Sequence, residues 1–146
     1  MSEKHRFKIL KEVATADIAF EAYGSSLSEL FENSALATTS VMVDANTLSE
    51  DIKKDIILRN NEIERLLFDF LNEIIFLKDA EMLLFKAVNI HVKEMQGKFS
   101  LNAVLSGEKI NREKHNLKID VKAITLHMFR IEKKKNKYTA TVVLDI

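Results

Sequence analysis

Two acidic groups lie next to each other at the carboxyl end of the sequence, which reads YTATVVLDI. The Asp145 side chain comes one residue before the main-chain carboxylate of Ile146. Like charges this close repel each other unless solvent or a cation screens them, and partial burial strengthens the repulsion. The pair therefore predicts a positive group nearby. An aspartate at a strand end is also compatible with a solvated strand terminus, and the residue pattern alone leaves both interpretations open.

A lysine in another predicted strand raises a related question. In KIDVKAITLHMF, strict alternation predicts that Lys122 shares a strand face with Ile124, Leu126 and Met128. An ammonium group in apolar surroundings must either reach solvent along its aliphatic stem or pair with an acid or phosphate. His115 lies in the charged segment REKH, which predicts either an exposed loop histidine or a contact with a partner or RNA.

The remaining composition excludes several kinds of chemistry. The sequence has no cysteine, which removes disulfides, thiolate catalysis and cysteine-based zinc sites. It has no glycine-rich phosphate loop and no recognisable nucleophile with its base. Basic and acidic residues balance at 22 each, so any contact with nucleic acid must be local. We therefore expect a protein that is not an enzyme.

The overall composition is typical of a soluble globular protein. Hydrophobic residues make up 47% and charged residues 30% of the 146 residues, and the apolar runs are too short to span a membrane. This length predicts one domain over residues 1–146. The N-terminal stretch MSEKHRFKIL is too charged for a signal peptide, which favours a cytoplasmic protein with no membrane partner.

The first elements that would position these residues are a strand and a helix. DIAFEAY alternates in hydrophobicity, which predicts a half-buried strand with Asp17 on its more polar face. Gly24 ends this strand. Ser26 and Glu29 then have the spacing of a capping box, and the apolar stripe behind them predicts a helix to about Thr38.

A second helix and several strands follow. Asn61 and Glu64 predict another capping box before the helical stripe in IERLLFDFLNEI. NTLSEDIKKDIILRN predicts one or two short strands, and four β-rich segments follow the helix, with hairpin turns at Met95 to Gly97 and Lys133 to Lys137. The predicted fold is α+β, with two helices packed on a largely antiparallel, mixed β-sheet.

Five stretches together resemble the archease family, small accessory proteins of the GTP-dependent RNA ligase that joins tRNA exon halves. They are TADIAFEAYG with SLSELFENSALA, EIERLLFDFLNE, GEKINREKHNLKIDVKAITLH and the terminal LDI, in the order found in the family. One departure is clear: Val13 and Ala14 stand where the family usually has an aspartate and a histidine.

The resemblance implies a divalent-metal site with Asp17, Asp145 and Ile146 as ligands. Both aspartates lie on the more polar faces of their predicted strands, which agrees with this assignment. Oxygen ligands suit Ca²⁺, Mg²⁺ or Mn²⁺ better than zinc. The resemblance also implies that Lys122 takes part in helping the ligase, and it adds His115 as a candidate contact to a partner or phosphate.

The resemblance further implies that the protein promotes guanylylation of the ligase and multiple turnover, and that it meets tRNA exon ends indirectly through the ligase. The metal-bearing end of the sheet would then enter the nucleotide pocket of the ligase. Two alternatives stay open. One is a chaperone-like modulator of another RNA enzyme, such as a tRNA methyltransferase, with a structural metal; the other is a metal-dependent hydrolase or nucleotidyl enzyme.

Overall fold

A computed structural model describes residues 6–10 and 16–146. Val13 and Ala14, which depart from the family pattern, lie outside the described residues, so their effect stays a prediction. Within the described part of the chain, no helix is long and apolar enough to cross a membrane.

The described strands form two antiparallel sheets. The first has four strands in the order β1-β2-β7-β6, with β1 at Phe7–Ile9, β2 at Asp17–Gly24, β7 at Lys137–Asp145 and β6 at Ala123–Lys134. The second has three strands in the order β3-β5-β4, with β3 at Ile52–Asn60, β4 at Leu83–Met95 and β5 at Lys98–Lys109. The predicted α+β class is confirmed, although the strands divide between two sheets rather than one.

Both predicted hairpins are present. In the β4–β5 hairpin, Met95 pairs with Lys98 across Gln96 and Gly97, which adopt φ values of 55° and 76°. These left-handed conformations give a two-residue turn that matches the right-handed twist of the strands. The β6–β7 hairpin pairs Lys134 with Lys137 and places Lys135 at φ 55°.

The first helix, α1, spans Leu27–Met42, four residues beyond the predicted end at Thr38. The predicted N-cap at Ser26 is confirmed, whereas the return bond of the capping box goes to Ser25, the residue before the N-cap. Ser26 Oγ accepts a hydrogen bond from the Glu29 N–H at 3.1 Å, and Glu29 Oε1 accepts one from the Ser25 N–H at 3.0 Å. Most of α1 is buried because it contacts β2 of the larger sheet and β4 of the smaller one.

The second helix, α2, spans Ile63–Glu81 and contacts β3 and β6. The capping box predicted at Asn61 and Glu64 is wrong. Glu62 is the N-cap residue and makes no side-chain cap, while Glu64 Oε2 accepts a hydrogen bond from the Ile131 N–H of β6 at 2.7 Å. The carboxylate is therefore used to join α2 to the sheet rather than to close its own first turn.

The apolar faces of both helices and both sheets form one continuous core. Its largest fully buried side chains include Phe20, Phe31, Phe70 and Phe85. Gly107 of β5 permits a close main-chain approach, because an added Cβ would overlap the Leu84 carbonyl oxygen of β4. The absence of a side chain at Gly107 thus lets β4 and β5 approach each other closely within the smaller sheet.

The strand β6 contains a wide irregularity. Its pairing with β7 runs regularly to Thr125 opposite Val143 and resumes at Arg130 opposite Thr141. Four residues of β6 therefore stand opposite the single residue Val142, and Met128 among them adopts φ 56°. The bulge breaks the alternation that the sequence predicts for KAITLHMF.

Candidate functional site

Asp17 and Asp145 lie directly opposite each other on neighbouring antiparallel strands, β2 and β7. The Ile146 N–H donates to the Ala16 carbonyl oxygen at 2.9 Å, so the adjacent pair carries the ladder hydrogen bond. Asp17 and Asp145 are then the non-hydrogen-bonded pair, in which opposed side chains come closest, with Cβ atoms about 4.5–5.5 Å apart. Two acids from distant parts of the sequence meet at one end of the larger sheet.

The register also settles which sheet face carries the acids. Ile18, Phe20 and Leu144 point into the core, and Asp17 and Asp145 point to the opposite face. Asp17, Asp145 and Ile146 are all half-buried. The expected placement of both acids away from the apolar side is confirmed.

The electrostatics of this end are unfavourable without a cation. Within residues 6–10 and 16–146, neither aspartate and no atom of Ile146 forms a salt bridge with a lysine, arginine or histidine. Like charges directly opposite each other destabilise an antiparallel pair. The acid pair is therefore a place where a bound cation would relieve repulsion that the fold itself leaves in place.

The donor set at this end is small. Among the residues that the structure describes, no group of three or more histidine, aspartate or glutamate side chains is arranged to hold a metal ion. A cation bound here would have two side-chain carboxylates and the main-chain carboxylate of Ile146. Ca²⁺ takes six to eight oxygen ligands and Mg²⁺ takes six, so most coordination positions would fall to water or to another molecule.

The main chain of Lys122 lies next to the acid pair. Its N–H donates to the Asp145 carbonyl oxygen at 2.8 Å, and its side chain is exposed. The predicted apolar strand face around Lys122 is wrong, because β6 begins one residue later at Ala123 and the bulge interrupts its alternation. Exposure lets the ammonium group be satisfied by solvent without an acid or phosphate partner.

A second lysine, which the sequence reasoning missed, fixes the segment that carries Lys122. Lys78 lies near the end of α2, is 7% exposed, and donates to the Val121 carbonyl oxygen at 2.9 Å and to an Asp120 carboxylate oxygen. It also pairs with Asp79 at 2.9 Å. Burial acts to lower the pKa of Lys78, but the hydrogen bonds to Asp120 and Asp79 outweigh it and raise the pKa. The signal was available, because Lys78 follows Ile74 by four residues on the apolar stripe of α2.

His115 is not an exposed loop histidine. Its side chain is fully buried, its Nδ1 accepts a hydrogen bond from the Asn111 N–H at 2.9 Å, and its Nε2 lies 2.7 Å from Glu108 Oε1. Since Nδ1 accepts, Nε2 carries the proton and donates to the carboxylate. A buried imidazole with both nitrogens bonded offers no surface to a partner or phosphate, so the geometry gives the predicted contact role of His115 no support.

Glu108 is the common hydrogen-bond acceptor of this loop, and we call it the loop hub. The sequence did not single it out. It accepts hydrogen bonds from Lys114 Nζ at 2.6 Å and from the Ser49 N–H at 3.0 Å, besides the one from His115. The bonds from Lys114, Ser49 and His115 lower the pKa of Glu108 to about 2. The hub closes the loop between β5 and the segment that leads to Lys122.

The comparisons with known proteins agree with this architecture. The model of the archease protein family matches residues 7–146. The archease of Archaeoglobus fulgidus is 41% identical over 132 residues, which cover 90% of this chain and 94% of that protein. The archease of Methanosarcina acetivorans is 36% identical over 133 residues, covering 90% and 91% of the two chains.

Two solved structures share the fold. The solution structure of Methanobacterium thermoautotrophicum protein 1598 matches with a TM-score of 0.84 and 33% identity, covering 96% of this chain and 98% of that one. The crystal structure of a Thermotoga maritima archease, described as a possible chaperone, matches with a TM-score of 0.62 at 22% identity over 95% of this chain and 98% of its own.

The fold and the acid pair thus define a small α+β protein in which two helices pack against two sheets and the larger sheet brings distant carboxylates together. With a family match over nearly its whole length, the chain belongs to the archease family.

Proposed function

We propose that this protein is an accessory factor of a GTP-dependent RNA ligase in tRNA splicing, where it promotes guanylylation of the ligase and repeated turnover. The ligase would seal a 3′-phosphate or cyclic-phosphate end to a 5′-hydroxyl, and the accessory protein would meet these RNA ends indirectly, through the ligase. The proposal places both proteins in the cytoplasm. Family membership supports the accessory role, and the opposed carboxylates of Asp17 and Asp145 support the mechanism.

The residues at the acid pair fit a hard divalent cation. Asp17, Asp145 and the Ile146 carboxylate supply only oxygen donors, which suit Ca²⁺, Mg²⁺ or Mn²⁺. The side chains come from opposed positions of the β2–β7 ladder, so the sheet positions both of them. The small donor set would leave the ion open to ligands from a partner, as an ion shared between two proteins requires.

Each residue has a distinct part in this proposal. A bound ion would offset the negative charge of the triphosphate during guanylylation. Asp17 and Asp145 hold positions on the sheet that keep their carboxylates together, and Lys122 presents a compact positive charge beside them to a phosphate or a ligase carboxylate.

The first test measures metal binding directly. Thermal melting of the apo protein is compared with and without Ca²⁺, Mg²⁺ or Mn²⁺ for the wild type, Asp17→Asn and Asp145→Asn. A ligand present at 100 times its Kd stabilises the folded state by about 2.7 kcal/mol, so a bound ion raises the wild-type melting temperature. Asp55→Asn, at an exposed position of β3, removes one negative charge from the other sheet and serves as the matched control.

The second test measures the proposed function. The cognate ligase is purified, and its guanylylation with GTP is followed with and without this protein. We expect acceleration by the wild type and by Asp55→Asn, and its loss in Asp17→Ala and Asp145→Ala. Undiminished acceleration by the two aspartate variants would refute the role of the acid pair, and no acceleration by the wild type would refute the accessory role itself.

A chaperone-like modulator of another RNA enzyme, such as a tRNA methyltransferase, is the second candidate function. It is favoured by the position of the acid pair between β2 and β7, where an ion could simply stabilise the fold. Chelation separates the two candidates: loss of the folded state indicates a structural ion, and an intact fold with lost ligase activation indicates a functional one.

A further inference from the structure

The solvent-facing side of the three-stranded sheet carries a row of positive side chains near the β4–β5 hairpin. Arg59 of β3 and Lys93 of β4 are both register partners of Ser100 on the central strand β5. Lys98 lies two residues before Ser100 and so shares its face. Three cations from three strands therefore surround one serine hydroxyl.

These cations line an open cavity of about 530 Å³. The same cavity is lined by polar side chains that donate hydrogen bonds to anions, among them Ser100, Asn61 and Gln96. None of the described residues that line it is an aspartate or glutamate. The lining thus combines the charge and the donors of an anion site with the apolar side chains of Met95 and Phe99.

The three cations also lack acidic partners within the described residues. Arg59, Lys93 and Lys98 are exposed and form no salt bridge with any described residue. Glu94 neighbours Lys93 in sequence, but strand alternation turns it to the opposite face. Because the whole chain has no net charge, this positive potential is a local feature.

We propose that this cation row binds phosphate groups of a single-stranded RNA. Arg59 and Lys93 lie on strands separated by β5, about 10 Å apart at the main chain, so together they cover more than one phosphate. The next row along the sheet consists of Ile57, Asn102 and His91. The His91 imidazole can stack on a base, the Asn102 amide can form hydrogen bonds with its edge, and Ile57, which is 69% exposed, adds apolar contact.

The site is distinct from the acid pair and belongs to the other sheet. It would give the protein its own contact with RNA, beyond the indirect contact through a ligase. The inference does not rest on the proposed ligase role, since RNA binding is measured with the isolated protein.

The experiment is a fluorescence anisotropy titration with a labelled 12-nucleotide single-stranded RNA at several salt concentrations. For three neutralised phosphates, the logarithm of the binding constant falls with the logarithm of salt concentration with a slope of about −2, or about −0.7 per phosphate. The variant Arg59→Gln, Lys93→Gln, Lys98→Gln is expected to bind at least about tenfold more weakly at low salt and to lose most of this slope. All three residues are exposed, so we expect the triple variant to fold like the wild type, and a thermal melt checks this.

The matched control removes the same charge from another exposed cluster, with Lys133→Gln, Lys134→Gln and Lys135→Gln at the β6–β7 hairpin. We expect this control to retain wild-type affinity. Equal losses in both triple variants would overturn the proposal, because binding would then follow net charge alone. A parallel titration with inorganic phosphate distinguishes the sources of the phosphate group: affinity for the RNA no tighter than for free phosphate would overturn the assignment to a nucleic-acid strand.

Discussion

Replacing Lys78 by methionine tests whether one buried ammonium group fixes the segment beside the acid pair. Methionine keeps an apolar stem of similar length but loses the bonds to Asp120, Asp79 and the Val121 carbonyl oxygen. Hydrogen bonds to charged groups contribute about 1.5–3 kcal/mol. Asp120 and Asp79 are mostly exposed, so water replaces the lost bonds to them. The buried Val121 carbonyl oxygen has no such replacement and accounts for most of the effect. We therefore expect the free energy of unfolding to fall by about 2 kcal/mol.

The assay is chemical and thermal unfolding of the wild type and the variant. For a domain near this size, 1 kcal/mol changes Tm by about 2–4 °C, so Lys78→Met is expected to lower Tm by about 4–8 °C. Lys54→Met is the matched control, because Lys54 pairs with Glu81 at 2.6 Å with both side chains more than one third exposed. Exposed pairs of this kind contribute less than about 1 kcal/mol.

The pH dependence gives a further check on the same residue. The pKa of Lys78 is raised in the folded state, so its contribution is fully present below the ordinary lysine pKa of 10.5 and is lost as pH rises through the folded value. The stability difference between wild type and Lys78→Met should therefore be constant through neutral pH and shrink only in strong alkali. A loss for Lys78→Met no larger than that of Lys54→Met would refute this account of the segment.

Three other predictions concern the loop hub, a glycine and the acid pair. Because the pKa of Glu108 is lowered to about 2, its stabilising effect is present above the ordinary value of 4.5 and lost as pH falls toward 2; acid unfolding of wild type and Glu108→Gln should converge over that range. Gly107→Ala forces a Cβ onto the Leu84 carbonyl oxygen and should cost about 1–3 kcal/mol in denaturant unfolding, more than Gly97→Ala, which loses only left-handed backbone freedom. Without divalent metal, Asp17→Asn should have a higher melting temperature than the wild type, because it removes like-charge repulsion across β2 and β7. With divalent metal, the wild type should have the higher melting temperature, because a bound ion stabilises it.

Local patterns in the sequence were sufficient for the elements whose signals are short-range. The alternation of DIAFEAY, the capping residues Ser26 and Glu29, and both hairpin turns all appear where the sequence predicts them. Each of these features is determined by residues close together in the chain, so a short sequence pattern is sufficient to predict it. The division into two sheets depends on long-range pairing and is not encoded in any one segment.

The site residues show the same limit. The role of Glu64 was mispredicted because its partner, the Ile131 N–H, lies in a distant strand. The burial of His115 follows from Glu108 and could not be recognised from the charged residues around it. The opposition of Asp17 and Asp145 was expected from family resemblance alone, since only the register of two distant strands brings them together.

The central position of β7 has a consequence for how the protein folds. β2 and β6 both pair with β7 and not with each other, so the larger sheet has no interior until that late segment has been synthesised. Until β7 has been synthesised, the backbone amides and carbonyls along one edge of β2 have no hydrogen-bond partner. This unpaired edge could pair with a strand of another chain. Contacts of such long sequence separation also slow folding. We expect the acid pair to be among the last features to assemble, after both helices and the smaller sheet.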